Sequence, residues 1–369
     1  MSDKLITPKI YKRIDILENK EEYPPLKDER NFFQNKMMRF YKTIKDKDNP
    51  YNQTLFMSDN KGAIYIIEFT KDNKPTKILT FNFICKDSKY ILIDVIKSTK
   101  FDCYISLCLN PCLNIFKLKD TKNGNKEIET IQHINLKDKN NKKKYNKIIE
   151  FNKINKDYLL LFGEEKIELW SNSNQNNINY EKIYTLIYDN NQNINNEENF
   201  ISNKISNICK IDEEKLVLFN KGKMEFNYLK ISEINDNNAI IEIINKVSIK
   251  GIQAQFENIN SLFIEKDYIF IGLCDSLILV SVPYGEKLQK YTIGNVIQIK
   301  KINENNDIMA FVEIRENEYY FIKYIFENSA LKEEFKIKYD KWIYKFDIIQ
   351  NGEIIAIYDI KGFITLLKI

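Results

Sequence analysis

The C-terminal part of the chain alternates short apolar runs with polar turns. Residues 343–369 contain three apolar runs, which are separated by the polar stretches 350–353 and 359–362. Apolar runs of strand length that are separated by turn residues predict a three-stranded antiparallel meander. Gly362 supplies a glycine where the second hairpin needs a positive φ. We therefore expect consecutive antiparallel strands at this end of the chain.

The same arrangement of strands occurs seven times. Each occurrence joins a partly alternating strand to an almost wholly apolar strand through a polar turn. An apolar strand without alternation must be covered on both faces, as in a sheet that lies between two other sheets. The spacing of about 40 to 55 residues is typical of propeller blades. The first strands of the seven blades are predicted over residues 38–44, 90–96, 148–154, 205–211, 259–264, 296–302 and 343–349.

The two ends of the chain complement each other. Residues 8–17 form a strand-like run without a blade of its own, and the seventh blade ends at Ile369 with only three predicted strands. If residues 8–17 form the outer strand of the last blade, they close the ring and leave no long edge open to aggregation. Residues 18–37 predict a loop or a short helix. We expect residues 1–369 to form a single all-β domain.

One short sequence carries a family resemblance. Leu169-Trp170-Ser171 is similar to the Trp-Asp ending of WD repeats, although the Gly-His that commonly opens such a repeat is absent. Over nearly its whole length the chain resembles the WD-repeat family of β-propellers in its pattern of strands. The resemblance implies a seven-bladed propeller, with closure by the N-terminal strand, that acts as a scaffold for other proteins.

Composition agrees with a folded chain that has no global electrostatic preference. Hydrophobic residues make up 43% and aromatic residues 13% of the 369 residues, which excludes a disordered protein. The formal net charge is only +4, from 56 basic and 52 acidic residues, so no overall field favours nucleic acid or membranes. No apolar run reaches the roughly 18 residues that span a bilayer, and we predict a cytoplasmic or nuclear location.

Metal and catalytic chemistry find little support in the sequence. The six cysteines lack a CxxC pair, and His133 is the single histidine. Zinc needs four converging ligands, so we predict no metal and expect buried, reduced thiols. The 10 glycines form neither GxGxxG nor a phosphate-binding loop, which predicts no cofactor. One histidine without a placed nucleophile gives no catalytic triad, and we predict no enzyme activity.

A lysine-rich run offers the one concentrated patch of charge. Its candidate partner-binding residues are Lys137, Lys139, Lys142, Lys143, Lys144 and Lys147. They predict contact with phosphates or with an acidic surface, and a solvated loop is the favoured alternative. The run contains no arginine, and the chain has no Arg-Arg pair of the kind that phosphoinositide-binding propellers use. Trp170 and Trp342 are predicted to pack inside or between blades.

The sequence therefore predicts a non-catalytic scaffold for protein–protein interactions, expected to be monomeric within a hetero-complex of other proteins. The alternative is a propeller that binds RNA or anionic lipid through the lysine-rich run, and strong salt dependence of binding would single it out.

Overall fold

We describe the fold from a computed structural model of the chain. The structure describes residues 5–6, 9–15, 38–45, 53–59, 63–69, 75–82, 91–109, 111–121, 126–136, 145–152, 157–163, 166–172, 177–187, 205–212, 215–220, 225–235, 238–250, 259–264, 267–282, 284–303, 305–349, 353–358 and 363–368. Every regular element in these ranges is a β-strand, which confirms the predicted all-β class. The predicted loop or helix over residues 18–37 lies outside the described residues.

Seven sheets form, and we number them as blades in chain order. Two short strands, β1 (Leu5–Ile6) and β2 (Lys9–Asp15), precede the first blade. The strands of blades 1 to 3 are β3 (Met38–Lys45), β4 (Gln53–Asp59), β5 (Ala63–Phe69), β6 (Pro75–Asn82), β7 (Leu92–Lys97), β8 (Tyr104–Cys108), β9 (Cys112–Asp120), β10 (Lys126–Asn135), β11 (Tyr145–Asn152), β12 (Asp157–Gly163), β13 (Lys166–Asn172) and β14 (Glu181–Ile187).

Blades 4 to 7 repeat this arrangement. Their strands are β15 (Ile205–Lys210), β16 (Lys215–Asn220), β17 (Glu225–Asn235), β18 (Asn238–Ser248), β19 (Ile259–Ile264), β20 (Tyr268–Leu273), β21 (Ser276–Ser281), β22 (Lys287–Thr292), β23 (Asn295–Lys301), β24 (Ile308–Arg315), β25 (Glu318–Glu327), β26 (Ala330–Tyr339), β27 (Lys345–Ile349), β28 (Ile354–Tyr358) and β29 (Phe363–Lys368). Apart from β1 and β2, which join the sheets of blades 6 and 7, the strands of every sheet lie side by side in chain order, as a meander requires. The seven predicted repeats are therefore confirmed.

The blades fall into two compact units. The first unit contains blades 1, 2, 3 and 7 together with β2, and the second contains blades 4, 5 and 6 together with β1. Each unit has its own buried apolar clusters, such as the one around Leu55 and Tyr358 in the first and the one around Phe270 and Tyr324 in the second. The predicted single domain over residues 1–369 stays a prediction.

The apolar strands are covered on both faces, as their composition predicts. Every residue of β12 and of β21 is buried, whereas the outer strand β22 is mostly exposed. In the first unit, the rings of Tyr41 and Tyr358 stack with their centroids 4.8 Å apart between blades 1 and 7. Complete burial of a side chain such as Leu55 contributes about 1.5–3 kcal/mol. The packing of sheet on sheet is therefore the main source of stability.

Three buried carboxylates join the first strands of the blades in the first unit. Asp347 accepts a hydrogen bond from Thr43 Oγ1 over 3.0 Å and so links blade 7 to blade 1. Asp94 forms an ion pair with Lys42 of blade 1 and accepts the backbone N–H of Ile148 of blade 3 over 2.9 Å. These charge-assisted hydrogen bonds fix each blade against its neighbour.

Glu150 performs the same role from blade 3. Its carboxylate accepts Ser98 Oγ over 2.6 Å and the backbone N–H of Thr99 over 2.7 Å, both from blade 2. In the second unit an uncharged residue takes this part, because Ser261 Oγ of blade 5 accepts the backbone N–H of Ile299 of blade 6 over 2.9 Å. Hydrogen bonds at the first strands thus join neighbouring blades in the first unit, and blade 5 to blade 6 in the second.

The N-terminal strands extend two of the sheets. The sheet of blade 7 has the order β2, β29, β28 and β27, so β2 lies at its outer edge within the predicted range 8–17. That this strand holds the ring closed stays a prediction. The sequence did not reveal β1, which lies parallel to β26, with Leu5 opposite Lys336 and Ile6 opposite Ile337.

Candidate interaction surface

Each blade has one end that gathers most of its connections. The first strand begins at this end, and because the strands are antiparallel, the turn between the second and third strands lies there too. The connection to the next blade also starts there. We call this the entry end of a blade. Loops on rigid sheets are common positions for binding residues, so the described turns at the entry ends are the first surface to consider.

In the first unit, a turn at the entry end of blade 2 presents an exposed leucine. Leu109 follows β8 directly and its side chain is 49% exposed. Its backbone N–H donates to the carbonyl of Ile91 over 2.8 Å, and the carbonyl of Pro111 accepts the N–H of Leu136 over 2.8 Å. The turn is therefore held on both sides, and it presents Leu109 without further ordering.

The residues that flank this turn are buried and polar. Cys108 and Cys112 lie opposite each other at the ends of β8 and β9, and Asn114 Nδ2 donates to both sulfur atoms over 3.7 Å. Asn114 Oδ1 is in turn hydrogen-bonded to Nδ1 of His133. His133 lies exposed in the outer strand β10, as a strand histidine rather than part of a cluster. This network stabilises the base of the turn.

In the second unit, a polar network supports the entry ends of blades 5 and 6. The carbonyl of Asp275 accepts the backbone N–H groups of Ile293 and Gly294, each over 3.2 Å. The φ of Gly294 is +104°, and a Cβ there would lie 2.5 Å from the carbonyl oxygen of Glu313, so only glycine fits. A hydrogen bond from Ser276 Oγ, together with the charge of Lys290, lowers the pKa of the Asp275 carboxyl.

The polar network of blades 5 and 6 extends to the turn between β24 and β25. Asn260 Nδ2 donates to Asn295 Oδ1 over 2.6 Å, and Asn295 Nδ2 donates to Glu313 Oε2 over 3.3 Å. Glu313 Oε1 accepts the backbone N–H of Asn317 over 3.2 Å and so holds the turn that follows Ile314. Ile314 is exposed at this position. The second unit thus also presents an apolar side chain on a supported turn.

Two aromatic residues lie near the connection between β26 and β27. Trp342 is 54% exposed, so the prediction that it packs between blades is wrong, whereas Trp170 is buried and that prediction is confirmed. The difference follows from position, because Trp170 lies inside β13 and Trp342 follows the end of β26. In the first unit Tyr344 is also exposed, and its ring lies 5.8 Å from that of Tyr41.

The lysine-rich run is mostly outside the described residues. Of the six candidates, Lys137, Lys139, Lys142, Lys143 and Lys144 lie there, and nothing in the structure tests them. Lys147 lies in β11, partly buried rather than fully exposed. The described residues on either side of the run, Leu136 and Tyr145, are buried.

The described cysteines include both buried and exposed thiols. Cys103, Cys108 and Cys112 are buried thiols, and burial, with the charge of Glu150, raises the pKa of Cys103 to about 12. Cys274 is exposed, so the prediction of buried thiols is wrong for this residue, which lies in the turn between β20 and β21.

Among the described residues, no cluster of His, Cys, Asp and Glu could hold a metal ion. Within the same ranges, no helix has the length and apolarity needed to cross a bilayer.

Comparison with known proteins identifies the fold. No protein-family model matches the chain, and no curated protein matches its sequence. A chain of a mitotic checkpoint complex is similar in structure, with a TM-score of 0.55, 9% identity, and coverage of 100% of this chain and 94% of that one. U3-55K is similar at a TM-score of 0.55 and 8% identity, over 90% of this chain and 98% of its own.

The WD40 repeats of RRP9 give the same result. Their TM-score is 0.55 at 9% identity, and the match covers 90% of this chain and 97% of that one. Identities this low establish the fold and leave the function to the site itself. Together with the seven sheets in chain order, these similarities show that the chain is a seven-bladed β-propeller of the WD40 fold.

Proposed function

We propose that the chain is a non-catalytic scaffold that holds other proteins at the entry ends of its blades. The observation that carries this proposal is the presence of large apolar side chains, exposed at the entry ends in both units, two of them beside turns that hydrogen bonds hold. These residues are Leu109 and Tyr344 in the first unit, and Ile314 and Trp342 in the second. Exposed aromatic and aliphatic side chains on a rigid framework are typical anchors of protein interfaces.

The framework makes such binding favourable. Leu109 and Ile314 are held by hydrogen bonds within their own units, so a partner that covers them loses little conformational entropy in doing so. One structurally similar chain comes from a multi-protein complex, which supports the same class of function. We propose that this chain acts as a monomeric subunit of such a hetero-complex, in the cytoplasm or the nucleus.

A tagged pull-down from the native cell, washed at low and at high salt, tests the proposal. We expect the wild-type chain to retain a fixed set of proteins at high salt, because apolar contacts are not screened. The double variant Leu109→Glu and Trp342→Glu is expected to lose most of that set. Ile131→Glu is the matched control, because Ile131 is exposed in the outer strand of blade 2, away from the turn.

The same experiment tests the alternative function. In the alternative, RNA or anionic lipid dominates the captured material and washes away at high salt. If replacement of Lys142, Lys143 and Lys144 by glutamine also abolishes this binding, the lysine-rich run is the binding site. A high-salt protein set that the double variant keeps unchanged would contradict the proposed surface.

A further inference from the structure

The outer strands of blades 2, 4, 5 and 6 carry β-bulges at equivalent positions, and in three of the four the bulged residue is apolar. The register of β10 skips Ile131, that of β18 skips Ile244, and that of β22 skips Leu288. These three side chains are 36%, 48% and 42% exposed. A bulge turns a side chain away from its usual face, so the exposure follows from the bulge itself.

The outer strand of blade 6 shows what such an edge can bind. Its bulge falls at Glu334, whose carboxylate pairs with Lys323 over 2.7 Å. Just after this bulge, β1 lies parallel to β26, opposite Lys336 and Ile337. The outer edge of a blade in this chain therefore accepts an extended segment as an added parallel strand. Where the edge is occupied, the bulged residue is charged.

The outer edge of blade 4 has the same geometry with an apolar bulge. In the part of the chain that the structure describes, the sheet order of blade 4 ends at β18, and just past this strand Lys250 forms an isolated parallel bridge with Glu286 of blade 5. Counted from the bulge at Ile244, the positions that correspond to Lys336 and Ile337 are Lys246 and Val247. β18 spans 11 residues, so it continues on both sides of the bulge.

The charges along this edge indicate the chemistry of the occupant. Lys246 is exposed beyond the bulge, whereas Lys250, which follows β18, is exposed opposite Glu286 of blade 5. The nearest acidic side chain of β18, Glu242, accepts a hydrogen bond from Ser232 Oγ of the adjacent strand β17. Within β18, the part of the edge that follows Ile244 therefore carries the exposed Lys246 and no acidic side chain. A segment with acidic and apolar side chains would complement it.

We propose that the outer edge of β18 binds an extended, acidic and apolar segment of a partner protein as an added parallel strand. The backbone of the segment would pair with β18 around Lys246 and Val247, as β1 pairs with β26. An apolar side chain of the segment would pack on Ile244, and an acidic side chain would pair with Lys246. The bulge limits pairing to a short stretch, which disfavours edge-to-edge aggregation.

This site uses the backbone edge of β18 and none of the anchors Leu109, Tyr344, Ile314 and Trp342 of the proposed function, so the two proposals can fail independently. The probe is a fluorescent peptide of alternating valine and glutamate, and its control is the same peptide with lysine in place of glutamate. We expect the glutamate peptide to bind the full chain and Ile244→Glu to weaken its binding by about tenfold or more. Ile131→Glu, the equivalent bulge in blade 2, and the double variant Leu109→Glu and Trp342→Glu are expected to bind it as the wild type does.

Three results would overturn the proposal. The wild-type chain fails to bind the glutamate peptide, the lysine peptide binds as tightly, or Ile244→Glu binds as the wild type does. Sedimentation of the wild type and of Ile244→Glu adds a further arm. A concentration-dependent dimer that only the wild type forms, without peptide binding, would assign the edge to a second copy of the chain and would contradict a partner segment. Equal unfolding temperatures of all variants show that each one is folded.

Discussion

A chain that lacks residues 1–17 is expected to lose its cooperative unfolding transition and to aggregate. The deletion removes β2, which lies at the outer edge of blade 7 beside β29. The backbone edge of β29 would then be open, and this strand contains the buried residues Ile364, Leu366 and Leu367. An open, apolar edge pairs with other chains, so the loss affects solubility as well as stability. Thermal unfolding, followed by circular dichroism and light scattering, measures both effects.

A shorter deletion separates the two N-terminal strands. Removal of residues 1–8 eliminates β1 and retains β2, so this variant is expected to unfold cooperatively. Adding a synthetic peptide of residues 9–17 to the longer deletion is expected to restore part of the transition. If the chain without residues 1–17 melts as the full chain does, the N-terminal strand does not hold the fold closed.

Replacement of Lys166 by methionine is expected to lower the free energy of unfolding by about 3 kcal/mol, the lower end of the range for breaking a buried ion pair. Lys166 and Glu168 are paired inside blade 3, with side chains only 8% and 3% exposed. Lys182 lies 3.6 Å from the same carboxylate, and Trp170 Nε1 donates to its other oxygen over 3.3 Å, so part of the charge stays compensated. Chemical denaturation at neutral pH measures the loss.

The contribution of the Lys166–Glu168 pair to the free energy of unfolding changes with pH in one direction. Burial alone would raise the pKa of Glu168, but the hydrogen bond and charge of Lys166 outweigh it, and the pKa is lowered. A lowered pKa stabilises the fold above the ordinary carboxyl pKa, and this contribution is lost as pH falls through the lowered value. In Lys166→Met the lowering by Lys166 is lost, so we expect the pKa of Glu168 to be higher than in the wild type. The stability gap to the wild type should therefore narrow as pH falls towards the acidic range.

A matched double variant controls for packing. Lys166→Met with Glu168→Leu removes both charges and is expected to recover most of the lost stability, because no unpaired charge stays buried. A single variant as stable as the wild type at neutral pH would show that the pair contributes nothing.

The repeats were predictable because burial on both faces leaves a strong mark on sequence. The apolar run predicted over residues 158–162 is the core of β12, and that over 354–358 matches β28. The turn between β24 and β25 could not be located, because Arg315 to Glu318 is polar throughout and contains no glycine. Asn317 makes this turn with a φ of 62°, a conformation that asparagine tolerates better than most residues.

The role of the buried carboxylates could not be predicted from the sequence. Asp94, Glu150 and Asp347 each lie between two apolar residues in a first strand, and such a triplet is indistinguishable from ordinary strand alternation. Only the structure shows that neighbouring blades supply their hydrogen-bond partners. The apolar bulges were missed for a similar reason, since a bulge depends on the register with the adjacent strand and not on the strand alone.

Hydrogen–deuterium exchange of the chain, alone and in the protein complex captured at high salt, tests the central claim most directly. Our account predicts slower exchange on complex formation in the turns at residues 108–112 and 313–318, where Leu109 and Ile314 are exposed. Exchange in the buried strands β12 and β21 should stay unchanged, because these strands are covered already. Unchanged exchange in both turns, in a complex that is demonstrably formed, would contradict a scaffold that binds its partners at the entry ends.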